Sequence, residues 1–404
     1  MNEPLLKQKY SNIVNILLFL FPIALLGLKS AGDLVLAFLM LMGLYIAFID
    51  KINPFKQSEL KLVSRLTVAY YTVIVLSIFL SGKSIDLLHY LGRDLAFLFA
   101  PLIALAIYKA DIDFNRLILG IKLSLIMIGG YVLYQHLANG VIMDWRLSLG
   151  ITPTLTMLML VFSWININHE NKYNLLLTII SSILAFSLLI LAARRSTFLA
   201  LIILSVLFLF LNSKFTVNKN RNIIFAAALA LIFASIVLTQ ANLVNRFLVA
   251  IENVNEWSIG DKITNSSTGI RLEMYKGGLL AFKEKPVFGH GYRNTTGPTS
   301  KFINNQNFAS TISLHSHLHN TFINTLVFGG VIALIVVLTL LFLPLKKFWQ
   351  AFKENNNIKY ASLGILLMSG YIILSATNGM LGGVAENSFF IFFLSLLLPK
   401  IFKK

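Results

Sequence analysis

The chain has 404 residues, of which 57% are hydrophobic and 13% charged, with no cysteine and a formal net charge of +17. A soluble domain has about a quarter of its residues charged, so this composition excludes an ordinary globular protein, and the missing cysteines exclude disulfides and thiol chemistry. The chain reads as an all-α polytopic membrane protein, one bundle over 1–404 rather than the two or three soluble domains its length would otherwise suggest.

In chain order, apolar runs of helix-spanning length fall at 12–28, 32–49, 62–81, 94–108, 116–135, 151–166, 173–193, 196–212, 222–240, 319–345, 360–376 and 386–402, which predicts about 12 transmembrane helices. The first run follows Lys7 and Lys9 but has no small-x-small cleavage site after it, so it reads as a retained span. An even number of crossings puts both termini on one side. Lys and Arg concentrate on that side, around 51–65, 214–221, 346–359 and 400–404, whereas the short segments opposite hold Lys29, Lys83, Arg93, Arg146, Arg194 and Arg195. By the positive-inside rule both termini are cytoplasmic. Most of the basicity is then topological, and no nucleic-acid partner is expected.

One long polar interruption, residues 241–318, separates spans 9 and 10 and falls on the outer side. The cluster Asn265-Ser266-Ser267-Thr268-Gly269 predicts a helix start with Thr268 as cap, and Leu272, Tyr275, Leu279 and Phe282 recur at helical spacing to about Lys285. Pro286 stops this helix, Gly289 and Gly291 mark a tight loop, and 294–313 is rich in Asn, Thr and Ser and reads as irregular. The two halves of the chain show no repeat, which weighs against a transporter built from inverted repeats.

Chemistry concentrates around this interruption. Arg194-Arg195 lies between two apolar runs, where unpaired arginine is costly; it either snorkels to headgroups or forms an anion site. Arg271, early in the insert helix, is a solvated charge or a bidentate clamp for phosphate. His315, His317 and His319 alternate in Leu-His-Ser-His-Leu-His-Asn (314–320), a spacing open to zinc, but no Asp or Glu lies within ten residues. His319, at the start of a span, is either a boundary cap or a general base, since a helix N-terminus disfavours imidazolium. Asp111-Ile-Asp113 has the look of a metal-diphosphate pair, yet it falls on the cytoplasmic side and reads as a solvated loop.

Taken in order, Ala-Arg-Arg-Ser-Thr (193–197), Thr-Gly-Ile-Arg-Leu-Glu-Met-Tyr (268–275), Pro-Val-Phe-Gly-His-Gly-Tyr (286–292), His-Leu-His-Asn (317–320) and Gly329-Gly330 resemble the O-antigen ligase family, with its shared ligase and polymerase module, over about 180–340. The resemblance implies a Gram-negative inner-membrane glycosyltransferase with its active site on a periplasmic loop, and no cofactor or metal. It would move polysaccharide from undecaprenyl diphosphate to the lipid A-core oligosaccharide in lipopolysaccharide biosynthesis, inverting the anomeric centre, with membrane lipids as further partners. It implies Arg195 and Arg271 as diphosphate ligands and His319 as catalytic base, with Arg194, His317 and Asn320 in supporting places. An O-antigen polymerase using the same lipid-linked donor is the alternative, and a lipid-linked sugar flippase a more distant one.

Overall fold

The computed structural model describes residues 4–28, 30–80, 91–140, 151–165, 171–213, 267–303 and 306–402, with isolated positions between 245 and 255. These residues form helices only: α1 (Pro4–Gly27), α2 (Ala31–Ile49), α3 (Lys61–Leu80), α4 (Leu95–Lys109), α5 (Phe114–Asn139), α6 (Thr152–Ser163), α7 (Lys172–Ala192), α8 (Arg195–Ser213), α9 (Ser267–Glu284), α10 (Thr296–Ser300), α11 (Gln306–Ser313), α12 (Thr321–Lys353), α13 (Ile358–Ser375) and α14 (Val384–Lys400).

Nine of the described helices are long and apolar enough to cross a bilayer. The expected span at 222–240 lies outside the described residues, as does most of 241–266. The 12 residues of α6 reach only about 18 Å at 1.5 Å per residue, short of a hydrocarbon core of about 30 Å. Every residue from Pro153 to Ser163 is buried, so α6 is a core element and not a free-standing span. In α14 everything from Asn387 to Lys400 is likewise buried.

Helices that face outward do so with apolar stripes. On α2, Leu34, Phe38, Leu41, Tyr45 and Phe48 are exposed while Val35, Leu39 and Ile46 are buried; lipid tolerates such a surface, and a helix satisfies its own backbone there. Inside, Phe21 stacks on Phe392 at 3.7 Å, and Trp164, Tyr70 and Tyr371 are fully enclosed.

The bundle has two distinct ends. At one, Asn15 Nδ2 donates to the Asp111 carbonyl (2.9 Å), and Asp113 caps α5 by accepting from the N–H groups of Asn115 and Arg116. Asp111 pairs with exposed Lys7 at 3.5 Å, so Asp111 and Asp113 serve as a surface ion pair and a helix cap. At the other, Tyr292 Oη donates to Asp94 (2.7 Å), Asn378 Nδ2 to Ser196 (3.4 Å) and Ser388 Oγ to Asp33. The segment α9–α11 sits at this second end.

That segment is joined to α12 by a break in the helix. Gly330 has φ 66° and ψ −161°, which frees backbone groups that lipid could not satisfy. The loop after α9 fills the gap: His290 N donates to Val327 O (2.7 Å), Gly291 N to Phe328 O (2.8 Å), and Val331 N to Pro286 O (2.8 Å). Ser77 Oγ also donates to Phe328 O, at 2.9 Å. Gly289 has φ 66° too. A Cβ there would strike the Phe328 backbone, and one at Gly330 would strike Val287 O. The Pro-Val-Phe-Gly-His-Gly run and Gly329-Gly330 are thus two sides of one joint.

The four spaced apolar residues of α9 are not its most buried ones. Leu279 is exposed and Tyr275 half-buried, while Met274, Gly277, Gly278 and Ala281 form the buried stripe. Thr268 lies inside α9, which already includes Ser267. The polar stretch 294–313 is not irregular either, for it holds α10 and α11. Its few apolar residues explain why: Ile303 and Ile312 pack with Met274, Ala281, Leu318 and Val327 in a small separate core.

Candidate active site

Between α7 and α8 the chain turns in two residues. Ala193 adopts the left-handed region (φ 47°, ψ 40°), a conformation that costs a non-glycine residue about 1–2 kcal/mol. The Arg194 carbonyl then accepts from Thr197 N (3.1 Å) and Phe198 N (3.2 Å), starting α8. Arg195 is the first residue of that helix, and both arginines are half-buried. Burial lowers the pKa of Arg194; Arg271 adds to this and Glu386 opposes it.

His319 sits just before α12, also left-handed at φ 50°. Its carbonyl accepts from Tyr275 Oη of α9 at 3.1 Å. The next residue, Asn320, caps α12 by accepting from Phe322 N (2.9 Å) and Ile323 N (3.0 Å). The Asn320 amide donates in turn to Ala376 O, 3.0 Å away in the α13–α14 connection. Thr321 Oγ1 donates to Asn378 O (2.9 Å) and accepts from Met380 N (2.9 Å). His319 is therefore held on both sides by side chains that cannot move without disturbing α9, α12 and the connection. Strained backbone at such positions is typical of functional sites.

The three histidines meet. Ring centroids of His319 lie 4.5 Å from His317 and 5.2 Å from His315. Burial first, and then His317, Arg271, His315 and Arg194, lower the His319 pKa to about 3. His317 falls to about 4 through burial and then Arg293, His315 and Arg271. Both rings are neutral near pH 7, held so first by burial and then by the neighbouring imidazoles and cations. Among the described residues no cluster of three or more His, Asp or Glu has the arrangement to hold a metal ion.

The structure gathers Arg194, Arg271, His315, His317 and His319 at one end of the bundle, with Arg195 and Asn320 next to them in the chain. The charges acting on His319 include Arg194 and Arg271. His290 is a structural residue: its Nε2 lies 2.7 Å from Ala281 O and ties the loop to α9.

Sequence reasoning missed a second set of residues. Arg293 donates to Gly382 O, lies 5.4 Å from the Tyr292 ring centre, and is left-handed at φ 61°. Behind it, buried Asp94 accepts from Tyr292 and, at 2.6 Å, from Asn387 Nδ2. Glu386 lies in the field of Arg93, Arg293 and Arg194. The available signal was a carboxylate inside the last apolar run and an Arg-Asp pair opening the fourth, since charges in spans are rare unless functional.

Residues 180–338 match the family model described as O-antigen ligase. Over 394 residues the chain is 24% identical to an uncharacterized protein of Haemophilus influenzae, covering 95% of this chain and 96% of that protein. The matched window contains both arginines of the α7–α8 turn, Arg271, the histidine trio and the glycine joint of α12.

Proposed function

From a chain that carries the O-antigen ligase module over 180–338 in a membrane bundle, we propose an O-antigen ligase of the bacterial inner membrane. It transfers polysaccharide from undecaprenyl diphosphate to lipid A-core, at a site on the periplasmic face. The observation that carries this reading is the placement of two guanidiniums, Arg194 and Arg271, in the electrostatic neighbourhood of one neutral imidazole, His319. That combination suits a donor with a diphosphate leaving group and an acceptor hydroxyl that must lose its proton.

In the proposed step the acceptor oxygen attacks the anomeric carbon as the bond to diphosphate breaks. The hydroxyl proton passes to His319, the electron pair of the broken bond leaves on the diphosphate, and a single displacement inverts the centre. Arg271 and Arg195, with Arg194, take the developing negative charge; fixed donors in a site shielded from water are worth about 10²–10³-fold in rate each. This leaves no step that requires a metal. Tyr275 and Asn320 position His319 from opposite sides.

A polymerase would use the same donor chemistry with a second lipid-linked glycan as acceptor. Deletion of the gene separates the two. Lipopolysaccharide gels that show bare core, with polymer accumulating on the lipid carrier, support the ligase; core capped by a single repeat unit identifies a polymerase instead.

A further inference from the structure

A cavity of about 1320 Å³ opens beside the histidines. Among the described residues, His317 lines it, while Arg194, Arg271 and His319 do not. Its wall is drawn from the α1–α2 turn, α5, α6, the Tyr292-Arg293 loop and the α13–α14 connection. The volume exceeds the roughly 300–1,000 Å³ of common small-molecule sites, so several sugar rings fit.

The wall mixes donors and acceptors. Arg93 and Arg293 bring guanidiniums whose buried Nε–H groups have no hydrogen-bond partner among the described residues; Asp33 and Glu386 bring carboxylates, and Tyr131 and Tyr292 bring rings. Glu386 lies among the cations Arg93, Arg293 and Arg194, Asp94 accepts from Tyr292 and Asn387, and Asp33 accepts from Ser388. Opposite charges thus offset one another locally. Such a surface gives little net attraction to an anion, but it meets sugar hydroxyls well, since each hydroxyl both donates and accepts. Unpaired buried donors are otherwise rare in a folded protein.

Displacement at an anomeric carbon needs the nucleophile opposite the leaving group. The proposed diphosphate ligands Arg194 and Arg271 do not line the cavity, whereas His317, with its ring centre 4.5 Å from that of His319, does, so the cavity adjoins the proposed base without holding the leaving group. We infer that this cavity is the acceptor subsite, that it takes a neutral, hydroxyl-rich oligosaccharide, and that Arg93, Arg293 and Glu386 determine its specificity. The inference rests on the transferase reading above and adds the seat and chemical class of the acceptor.

The test uses full-length protein in nanodiscs, titrated separately with undecaprenyl diphosphate and with purified lipid A-core, intact or stripped of phosphate. Arg293→Gln and Glu386→Gln are each expected to weaken lipid A-core binding about tenfold and leave undecaprenyl diphosphate binding within twofold. Intact and stripped acceptor should bind alike. A Cβ at Gly27, on the cavity wall, meets nothing within 4 Å, so Gly27→Trp fills the space without disturbing the charged wall and should also block the acceptor. Acceptor affinity that ignores Gly27→Trp and Arg293→Gln overturns the subsite, as does an acceptor that fails to bind wild-type protein. A drop of tenfold or more on removing phosphate overturns the neutral-sugar assignment. Wild-type protein that binds acceptor but no undecaprenyl diphosphate defeats the transferase reading instead, which keeps the two failures apart.

Discussion

A general base has to be neutral before the reaction yet basic enough to take a proton, and His319 meets these needs in different states. With its pKa lowered to about 3, the ring is neutral throughout the physiological range but a weak base. A bound diphosphate would offset Arg271 and Arg194 and raise the value. The sign is fixed: a depressed pKa keeps the neutral form down to low pH, and an anion beside it moves that limit upward. Since kcat/KM reports the free enzyme and kcat the substrate complex, the acid limb of kcat/KM should lie well below the ordinary histidine value of about 6.5, with the kcat limb at higher pH. Coincident limbs near 6.5 would contradict this. His319→Asn should be nearly inactive while still binding undecaprenyl diphosphate; a fully active variant removes His319 as base. The neighbouring arginines can be separated as well. Arg271→Gln and Arg194→Gln are expected to lose about 10²–10³-fold in transfer, and comparison with Arg195→Gln shows which member of the pair faces the diphosphate. The sequence motif points to Arg195, and the field at His319 includes Arg194.

Among the elements, the joint between the 286–291 loop and α12 decides whether the histidines are presented at all. Gly289→Ala should cost at least about 1 kcal/mol from its left-handed backbone alone, and the collision with Phe328 adds to that. A thermal midpoint in detergent equal to wild type would refute the joint. Asn320 does two jobs that substitution can split. Asn320→Asp keeps the acceptor for Phe322 N and Ile323 N but loses the donor to Ala376, whereas Asn320→Ala loses both, including a cap worth about 1 kcal/mol. Thermal stability should therefore fall for Asn320→Ala and hold for Asn320→Asp, with transfer reduced in both; equal stability of the two variants would deny the cap. These elements show how far the sequence was legible. Long apolar runs located the nine described candidate spans, because burial in lipid imposes length and composition, although α1 begins at Pro4 and α12 runs on to Lys353, well beyond their apolar runs. The buried stripe of α9 was not legible because it uses Gly277 and Gly278, which periodicity of large apolar residues does not count. The helices α10 and α11 were missed because Ile303 and Ile312 gain partners from α9, Leu318 and α12 that no local periodicity shows.

For the whole molecule, the separation of ends carries the functional account. Asp111 and Asp113 lie at the end where Lys400 Nζ approaches Ala110 O at 3.5 Å, and the arginine-histidine cluster lies at the other. If basic residues mark the cytoplasmic side, alkaline phosphatase fused after Ser300 should be active and the same enzyme fused after Asp113 inactive; the reverse would put the chemistry in the cytosol, away from a periplasmic acceptor. The Asp33–Ser388, Asp94–Tyr292 and Asn378–Ser196 contacts join helices from both halves of the chain at the site end, which no local motif could have revealed. The most direct measurement is a structure of the protein in nanodiscs with undecaprenyl diphosphate bound. Density for the diphosphate within hydrogen-bonding reach of Arg271 and the Arg194-Arg195 turn, with His319 facing the terminal phosphate, to which the donor's sugar would be attached, is the result expected. A diphosphate seated elsewhere, with Arg271 and His319 out of contact, would contradict the account.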